Sequence, residues 1–236
     1  DYTYKLKEGE SPKYKKSYPL SKQKKDALKK IIDVLLENEC IESSTCAEWN
    51  SPVILVSKGD GRWRLVIDFR AVNMSIENEA VVYPRPDDIL EMCQDANFMF
   101  LIDGRDFYFQ RGLAEECRDP TTFRTPWGTF RWCVAPQGFK TSSAAAINPI
   151  TNVLRDLIQK DILMHCDDIL GWAASERKSL ACFGEVCSRL KNFGLTLGWY
   201  KVWILKSKAQ YVSFVIEGGK VTPSPKLVKS IESLPY

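Results

Sequence analysis

The stretch ILMHCDDILGWA, residues 162–173, places two adjacent aspartates, Asp167 and Asp168, inside an otherwise apolar segment. Burying two carboxylates between strands costs several kcal/mol unless cations offset their charges. We therefore interpret the stretch as two short strands joined by a tight turn at the acids. A solvated turn is the simpler explanation for an isolated Asp-Asp pair, so a functional interpretation needs a second observation.

A second apolar segment also ends in an acid. Residues 98–103 read FMFLID and close on Asp103. Acids at the ends of neighbouring strands can converge on two divalent cations about 3.5–4 Å apart, the arrangement that supports in-line phosphoryl transfer. We therefore predict that Asp103, Asp167 and Asp168 lie within one metal-binding cluster.

Periodicity outside these two segments predicts a mixture of helices and hairpins. Apolar residues at helical spacing predict helices over 21–38, about 86–94, 139–159, 175–192 and 223–234. Alternating apolar residues and turn signals predict strands over 53–57, 62–69, 120–125 and 129–134, and a further hairpin over 209–222. Pro149 lies inside one predicted helix and should kink it. This order indicates an α+β fold with a largely antiparallel sheet.

Composition indicates a soluble globular protein. The chain has 236 residues, of which 44% are hydrophobic and 27% charged; this excludes a disordered tail, a collagen-like chain and a coiled coil. Its apolar runs fall short of the roughly 18 residues that a membrane helix needs. Its first residues lack the apolar core of a signal peptide. We therefore expect no membrane partner.

The cysteines and the charge distribution indicate less about function than the two acidic segments do. The eight cysteines form no CxxC pair, and one histidine is too few for a Cys/His zinc site. We expect buried thiols of a reducing compartment and no disulfide framework. Residues 1–30 carry ten lysines against four acids, which suits a polyanionic partner. A solvated lysine face explains the same pattern equally well.

Six segments occur in a family's order along nearly the whole chain, from about Leu20 to Pro235. They are WNSPVILVSKGDGRWRLVIDFRAVN (49–73), YPRP (83–86), FLIDGRDFYFQ (100–110), APQGFK (135–140), HCDD (165–168) and YVSFVIEGGKV (211–221). Together they resemble the conserved boxes of reverse transcriptases, especially those of gypsy-type LTR retrotransposons and retroviruses. An Asp-Asp pair alone is weak support for this resemblance, whereas six segments in the family's order are strong support for it.

The resemblance implies the fingers and palm of a right-hand polymerase, with an antiparallel palm sheet backed by helices and the thumb mostly absent. It implies an N-terminal arm and fingers in 1–82, a first part of the palm in 83–112 and a return of the fingers in 113–136. The palm with the HCDD box and the primer-grip hairpin would follow in 137–222, and the thumb would start in 223–236. We expect a fragment of a larger polyprotein or an excised domain.

The same resemblance implies roles for individual residues. Asp103, Asp167 and Asp168 would be the catalytic residues and would bind two Mg²⁺ ions. The Gly104 carbonyl would be a further metal ligand, and Mn²⁺ could substitute for Mg²⁺. Contacts with the deoxynucleotide fall to Lys58, Arg64, Tyr108 and Gln137. Contacts with the template–primer fall to His165, Cys166, Tyr211, Val212 and Ser213. Arg70 and Asn73 are expected to order the first hairpin.

Simpler interpretations remain open for several of these residues. Lys58 and Arg64 could be exposed hairpin cations, Tyr108 a core aromatic, and the grip residues an ordinary palm-edge hairpin. The sequence also departs from the family, because His165 replaces a tyrosine, Ser213 a glycine and Phe107 a small residue. We expect Phe107 to narrow the nucleotide pocket; the alternative is that it packs in the core.

The function implied is an RNA-directed DNA polymerase that transfers deoxynucleotides to a primer 3′-hydroxyl. The alternative is a catalytically weak or inactive module of the same origin, retained to bind nucleic acid or protein. A polymerase that uses ribonucleotides is disfavoured by Tyr108. The expected partners are an RNA or DNA template with its primer, deoxynucleotides, and the rest of the polyprotein with its thumb and RNase H. The expected location is the cytoplasm, including virus-like particles.

Overall fold

The computed structural model describes residues 1–59, 61–83, 85–93, 96–104 and 106–233. The predictions that involve Asp60 of the first hairpin turn, Pro84 of the YPRP segment and Leu234 of the last helix lie outside these residues. The chain divides into two compact units, one of residues 1–80 and 106–146, the other of residues 81–105 and 147–236. The subdomain limits given above stay a prediction.

Short groups of strands are interspersed with helices along the chain. The helices are α1 (Lys22–Glu37), α2 (Arg70–Met74), α3 (Pro86–Met92), α4 (Ser142–Val153), α5 (Glu176–Phe193) and α6 (Pro225–Glu232). The strands are β1 (Ile41–Ser43), β2 (Val53–Ser57), β3 (Trp63–Ile67), β4 (Phe98–Asp103), β5 (Phe123–Thr125), β6 (Gly128–Trp132), β7 (Ile162–His165), β8 (Asp168–Ala173), β9 (Trp203–Lys206), β10 (Lys208–Tyr211), β11 (Phe214–Glu217) and β12 (Lys220–Pro223).

The first unit joins helix α1 to two small antiparallel sheets. Helix α1 buries Leu28, Ile32 and Leu35, which recur at helical spacing, and the Ser21 side chain caps it by accepting from the Lys24 backbone N–H. Strands β2 and β3 form a hairpin, and β1, β6 and β5 form a three-stranded sheet in that order. One apolar core lies between these elements; its largest fully buried side chains include those of Leu28, Ile32, Phe69, Ile76 and Phe123.

The N-terminal arm is attached to the first unit along much of its length. Isolated bridges pair Tyr2 with Leu113, Leu6 with Ile76 and Tyr14 with Asn50. The Tyr2 side chain is buried in a small apolar cluster with Leu113. The arm is therefore extended, as its lack of periodicity predicts, but it is anchored at three points that the sequence does not reveal.

The second unit is built on a four-stranded sheet in the order β7–β8–β4–β9. Its strands pair antiparallel, as expected, and α5 packs against the sheet. The C-terminal residues of α5 lead into Gly194, whose φ of 90° is the left-handed conformation that favours glycine at a helix end. A second sheet, β10–β11–β12, precedes the final helix α6.

The structure confirms the α+β class and most predicted elements, with several differences; β1 and α2 are among the elements that the periodicity does not predict. Residues 119–121 form a 3₁₀ turn that contains Pro120 in place of the start of a strand, since proline cannot donate to a strand ladder. Helix α4 includes Pro149 but ends at Val153, well before residue 159. Strand β9 was not predicted, because its aromatic and lysine residues show no clear alternation.

Within the described part of the chain, the helices are all too short or too polar to cross a membrane.

Candidate active site

The HCDD segment forms a two-residue turn between β7 and β8. His165 and Asp168 are register partners at the end of this hairpin, which leaves Cys166 and Asp167 in the turn. Cys166 has a φ of 55°, a left-handed conformation that is uncommon for a residue with a side chain. Such conformations persist where the surrounding structure enforces them, and they cluster at functional sites. The turn thus fixes the direction of both aspartates.

Antiparallel pairing of β4 with β8 brings the third acid to the same place. Asp103, the last residue of β4, is the register partner of Asp168, the first residue of β8. The next residue, Gly104, donates its backbone N–H to the Asp167 carbonyl at 3.0 Å. The three aspartates that the sequence singles out therefore occupy one end of adjacent strands.

An unpredicted lysine binds the first of these acids. The Lys201 ammonium donates to both carboxylate oxygens of Asp103, each at 2.9 Å. The loop before Lys201 is tied to the same strand end, because Leu197 bridges to Gly104 and the Gly198 N–H donates to the Asp103 carbonyl at 3.1 Å. One ammonium thus lies among three carboxylates.

The charges at this strand end are only partly balanced. Burial, with the neighbouring negative charges of Asp167 and Asp103, raises the pKa of Asp168 to about 6. The hydrogen bonds to Asp103 raise the pKa of Lys201, which keeps it charged. The Lys201 side chain is 51% exposed, and an ion pair so open to water contributes at most about 1 kcal/mol. A better cation can therefore displace it at small cost.

The donor chemistry fits a hard divalent cation. Carboxylate and backbone carbonyl oxygens are the ligands that Mg²⁺ and Mn²⁺ prefer, and Asp103, Asp167, Asp168 and Gly104 offer only these. Among the residues that the structure describes, no three His, Cys, Asp or Glu side chains are arranged to hold a metal ion as they stand. The Asp103 carboxylate is held by Lys201 instead.

Replacing Lys201 by methionine should therefore tighten binding of divalent metal. The variant removes the competing ammonium from Asp103, and because that ion pair contributes at most about 1 kcal/mol, the affinity should rise by up to about fivefold. Titration with Mn²⁺, followed by electron paramagnetic resonance, measures it. Lys206→Met, on the exposed edge strand β9, is the matched control and should leave the affinity unchanged. Unaltered or weaker binding in Lys201→Met would contradict the competition.

Two residues predicted to contact the template–primer flank the acids. The His165 ring lies against the Tyr83 ring, with centroids 5.1 Å apart and planes inclined by 47°. Both side chains are partly accessible, as is Cys166 in the turn. This aromatic pair lies directly beside the aspartates and leaves accessible ring surface next to them.

The grip residues differ from one another in exposure. The Tyr211 side chain is 1% exposed and belongs to the apolar core of the second unit, and burial raises the pKa of its hydroxyl. Val212 and Ser213 form the turn between β10 and β11, and Val212 is 42% exposed with a φ of 53°. A contact with a ligand would therefore involve Val212 or Ser213 and not the Tyr211 ring.

The first unit contains residues that are predicted to bind the deoxynucleotide, among them Lys58, Arg64 and Gln137. Lys58 and Arg64 are exposed on the β2–β3 hairpin, and the Lys58 N–H closes its turn by donating to the Arg62 carbonyl at 2.9 Å. The Arg64 guanidinium donates to the side-chain oxygen of Gln137. The structure therefore brings Arg64 and Gln137 together, although 73 positions separate them in the sequence.

Two residues that are expected to order this hairpin, Arg70 and Asn73, lie in the helix that follows it. The Arg70 guanidinium forms a two-pronged ion pair with Asp68, with both bonds at 2.7 Å, and this pair lowers the pKa of Asp68 to about 2. The Asn73 side chain donates to the Gly138 carbonyl and accepts from the Lys140 N–H. Asn73 thus fixes the backbone at Gly138 and Lys140, whereas Arg70 binds a neighbouring side chain. The expected ordering of the first hairpin by these residues stays a prediction.

Phe107 is a buried residue. It is 5% exposed and packs edge-on against the half-buried Tyr108, with ring centroids 5.6 Å apart. Tyr108 also contacts the small cluster that contains Tyr2 and Leu113. This burial favours the core role for Phe107 over the expected narrowing of a nucleotide pocket.

Comparison with known proteins gives one family. A family model described as "Reverse transcriptase (RNA-dependent DNA polymerase)" matches residues 56–216. The Retrovirus-related Pol polyprotein from transposon 297 of Drosophila melanogaster is 28% identical over 95% of this chain. That from transposon gypsy is 26% identical over the same share. The chain spans only 22% of the length of each.

Solved structures share the fold. The foamy viral protease-reverse transcriptase dRH in complex with double-stranded DNA superposes with a TM-score of 0.84 at 22% identity, over 96% of this chain and 39% of that one. The foamy viral protease-reverse transcriptase in complex with an RNA/DNA hybrid gives a TM-score of 0.83 at 21% identity, over 97% and 30%. At these identities the likeness supports the fold.

Proposed function

Since the chain belongs to the reverse transcriptase (RNA-dependent DNA polymerase) family, we propose that it carries the polymerase chemistry of a gypsy-type retrotransposon or retrovirus-like Pol polyprotein. The reaction is attack of a primer 3′-hydroxyl on the α-phosphate of a deoxynucleotide. The bond from the α-phosphate to the bridging oxygen breaks, and pyrophosphate leaves with the electron pair. The proton of the hydroxyl passes to solvent.

One observation carries this proposal: the pairing of β4 with β8 places Asp103 opposite Asp168, with Asp167 in the adjoining turn. Three carboxylates at one strand end, where, among the described residues, Lys201 supplies the one ammonium, suit a site that receives cations. A structural role alone gives no reason for that excess of negative charge, because burying like charges together costs stability.

Reverse transcriptases generally depend on a divalent metal, and for this chain we propose two Mg²⁺ ions, with Mn²⁺ as a substitute. Held by Asp103, Asp167, Asp168 and the Gly104 carbonyl, they would lower the pKa of the primer hydroxyl and neutralise charge on the leaving group. The chain's own part is to fix the three carboxylates in position through the strand register and the turn. Lys201 keeps the Asp103 carboxylate oriented until the metal enters.

The exposed cations of the β2–β3 hairpin would bind the triphosphate of the deoxynucleotide. Lys58 and Arg64 are accessible, and guanidinium and ammonium groups stabilise charge that grows on phosphate oxygens. Gln137, bonded to Arg64, would orient that guanidinium and approach the sugar. Tyr108, partly accessible, would pack beneath the sugar and exclude a 2′-hydroxyl.

The nucleic-acid partner would be an RNA or DNA template with its primer. Foamy viral relatives were solved with double-stranded DNA and with an RNA/DNA hybrid, which supports this class of partner. His165, Cys166, Val212 and Ser213 would contact the primer end. The thumb and RNase H of the polyprotein would complete the enzyme in the cytoplasm or in virus-like particles.

Primer extension tests the proposal directly. We expect the chain to elongate a labelled DNA primer on RNA and DNA templates when Mg²⁺ is present, to stop when a chelator removes the metal, and to prefer deoxynucleotides over ribonucleotides. Gel analysis of the products measures all three. Binding of the hybrid without elongation in Mg²⁺ or Mn²⁺ would favour the inactive binding module instead.

A further inference from the structure

Two cysteines face each other across the sheet of the first unit. Strands β1 and β6 pair antiparallel with Ile41 opposite Trp132, so the same register places Cys40 opposite Cys133 at the next position. The pairing continues there, because the Cys133 backbone N–H donates to the Cys40 carbonyl at 2.9 Å. The two residues lie 93 positions apart in the sequence, so periodicity does not reveal the pair.

The backbone geometry at this position suits a disulfide. Only one of the two ladder hydrogen bonds forms at this pair, because the Cys40 N–H donates to the Leu35 carbonyl and the Cys133 carbonyl accepts from the Leu113 N–H. Residues directly opposite each other on antiparallel strands have Cα atoms about 4.5–5.5 Å apart, and disulfides span Cα separations of about 4.4–6.8 Å. The spacing of opposite residues therefore falls within the range that a disulfide bridges.

The neighbouring pair on the same face shows that side chains meet across these strands. Glu42 and Arg131 are register partners two positions along each strand, and the Arg131 Nε donates to Glu42 at 2.7 Å. Side chains two positions apart point to the same face. Cys40 and Cys133 therefore project to the face on which Glu42 and Arg131 already touch.

Both thiols are free and half-buried. The Cys40 Sγ donates weakly to the Asn38 carbonyl at 3.6 Å, while the Cys133 thiol lies beside the Glu42 carboxylate. Rotation about each Cα–Cβ bond exchanges these weak contacts for an S–S contact. The thiols are thus accessible and adjacent without being linked.

We propose that Cys40 and Cys133 form a redox-active dithiol that small disulfides of the glutathione type convert into a cross-strand disulfide. A Cys40 thiolate attacks one sulfur of the small disulfide and expels the other sulfur as a thiolate. The Cys133 thiolate then attacks the Cys40 sulfur of the mixed disulfide and expels the second small thiolate. The protein loses two protons and two electrons, and the small disulfide is reduced to two thiols.

The surroundings make this reaction slow at neutral pH. Burial raises the pKa of both thiols, and Glu42 contributes to raising that of Cys133 to about 11. Asp106 acts on Cys40 in the same direction, while Arg118 and Arg131 oppose the effect at Cys133. Because the thiolate is the attacking species, oxidation should accelerate as the pH rises from 7 to 9.

The bond would tie the segment after α1 to the end of β6. Closing a loop of this length restricts the unfolded chain strongly, so the oxidised protein should melt at a temperature higher by about 5–10 °C. A half-exposed cross-strand disulfide is open to attack by a small thiolate. Dithiothreitol should reverse the shift.

Incubation of the whole chain with glutathione disulfide, followed by thiol counting and peptide mapping without reduction, tests the inference. We expect the count of free thiols to fall from eight to six and a linked Cys40–Cys133 peptide to appear. Cys40→Ser and Cys133→Ser should each abolish the link. The double variant Cys182→Ser, Cys187→Ser, which replaces two half-buried cysteines of α5, should retain it.

Three outcomes of this experiment would contradict the proposed disulfide. Eight thiols after prolonged oxidation, glutathione attached to single cysteines without a Cys40–Cys133 link, or a link between other cysteines would each overturn the inference. Mapping of the unmodified chain decides this even if a serine variant folds poorly. The apolar variants Cys40→Ala and Cys133→Val, checked by circular dichroism, provide a second set that preserves burial.

Discussion

Replacing Asp168 by asparagine should reduce nucleotide incorporation at least about a thousandfold, because it removes one of three carboxylates proposed to hold the metal ions. Asp168 is the register partner of Asp103, so its replacement leaves that side of the proposed site without a carboxylate. Single-nucleotide incorporation in Mg²⁺ measures the loss. Asp161→Asn, a change of the same chemistry just before β7, is the matched control and should keep activity.

The same variant should not destabilise the metal-free protein. Burial and like charges raise the folded-state pKa of Asp168 from 3.8 to about 6, so the folded chain holds this proton more tightly than the unfolded chain does. The contribution of Asp168 to the free energy of unfolding is therefore largest below pH 4 and declines between about pH 4 and 6. After allowance for solvent screening, the decline is about 1 kcal/mol.

Asp168→Asn should remove this decline and melt at or above the wild-type temperature at pH 7 without metal. Thermal melts at several pH values in the presence of a chelator measure it. Loss of activity together with a much lower melting temperature would mean that Asp168 acts in folding, which would weaken the metal-site proposal. Loss of activity with retained stability supports it.

Gly171→Ala should destabilise the second unit by about 3 kcal/mol or more, the upper range for overpacking a core. A Cβ atom at Gly171 would overlap the far edge of the Phe100 ring, its register partner on β4. That ring is 1% exposed and packs edge-on against Phe183 of α5, so it cannot move aside. Denaturant unfolding measures the change.

A matched glycine provides the control. An added Cβ at Gly184, inside α5, meets nothing within 4 Å, so Gly184→Ala should raise the stability by up to about 1 kcal/mol. Phe100→Leu shortens the ring edge and should partly rescue Gly171→Ala in the double variant. Additive effects of the two changes would show that the overlap is not the cause.

The acids were predictable from sequence because each of them ends or joins a short apolar run of the kind that forms a buried strand. FMFLID and ILMHCDDILGWA each combine an apolar strand with a terminal acid, and the structure pairs Asp103 with Asp168. Lys201 was not predictable as their partner. It lies 98 positions from Asp103 in a segment of exposed aromatics, and only the loop that ties Gly198 and Leu197 to β4 brings it there.

Burial separates the candidates that the sequence could not rank. The sequence does not distinguish an aromatic residue that lines a ligand site from one that packs in a core, yet Phe107 and Tyr211 are buried while Val212 is exposed. Arg64 and Gln137 belong to different motifs and meet through tertiary packing. Local patterns therefore predict the elements, whereas the set of side chains that share a surface depends on long-range contacts.

The register of β4 with β8 has a consequence for how this sequence can change over time. Successive side chains of a strand point to opposite faces. If the rest of β8 keeps its pairing with β4, one residue inserted directly after Asp168 moves Asp168 to the other face and places the new residue opposite Asp103. A substitution within β8 alters one side chain, whereas an insertion or deletion shifts every residue on one side of it. The length of this strand is therefore more tightly constrained than its composition.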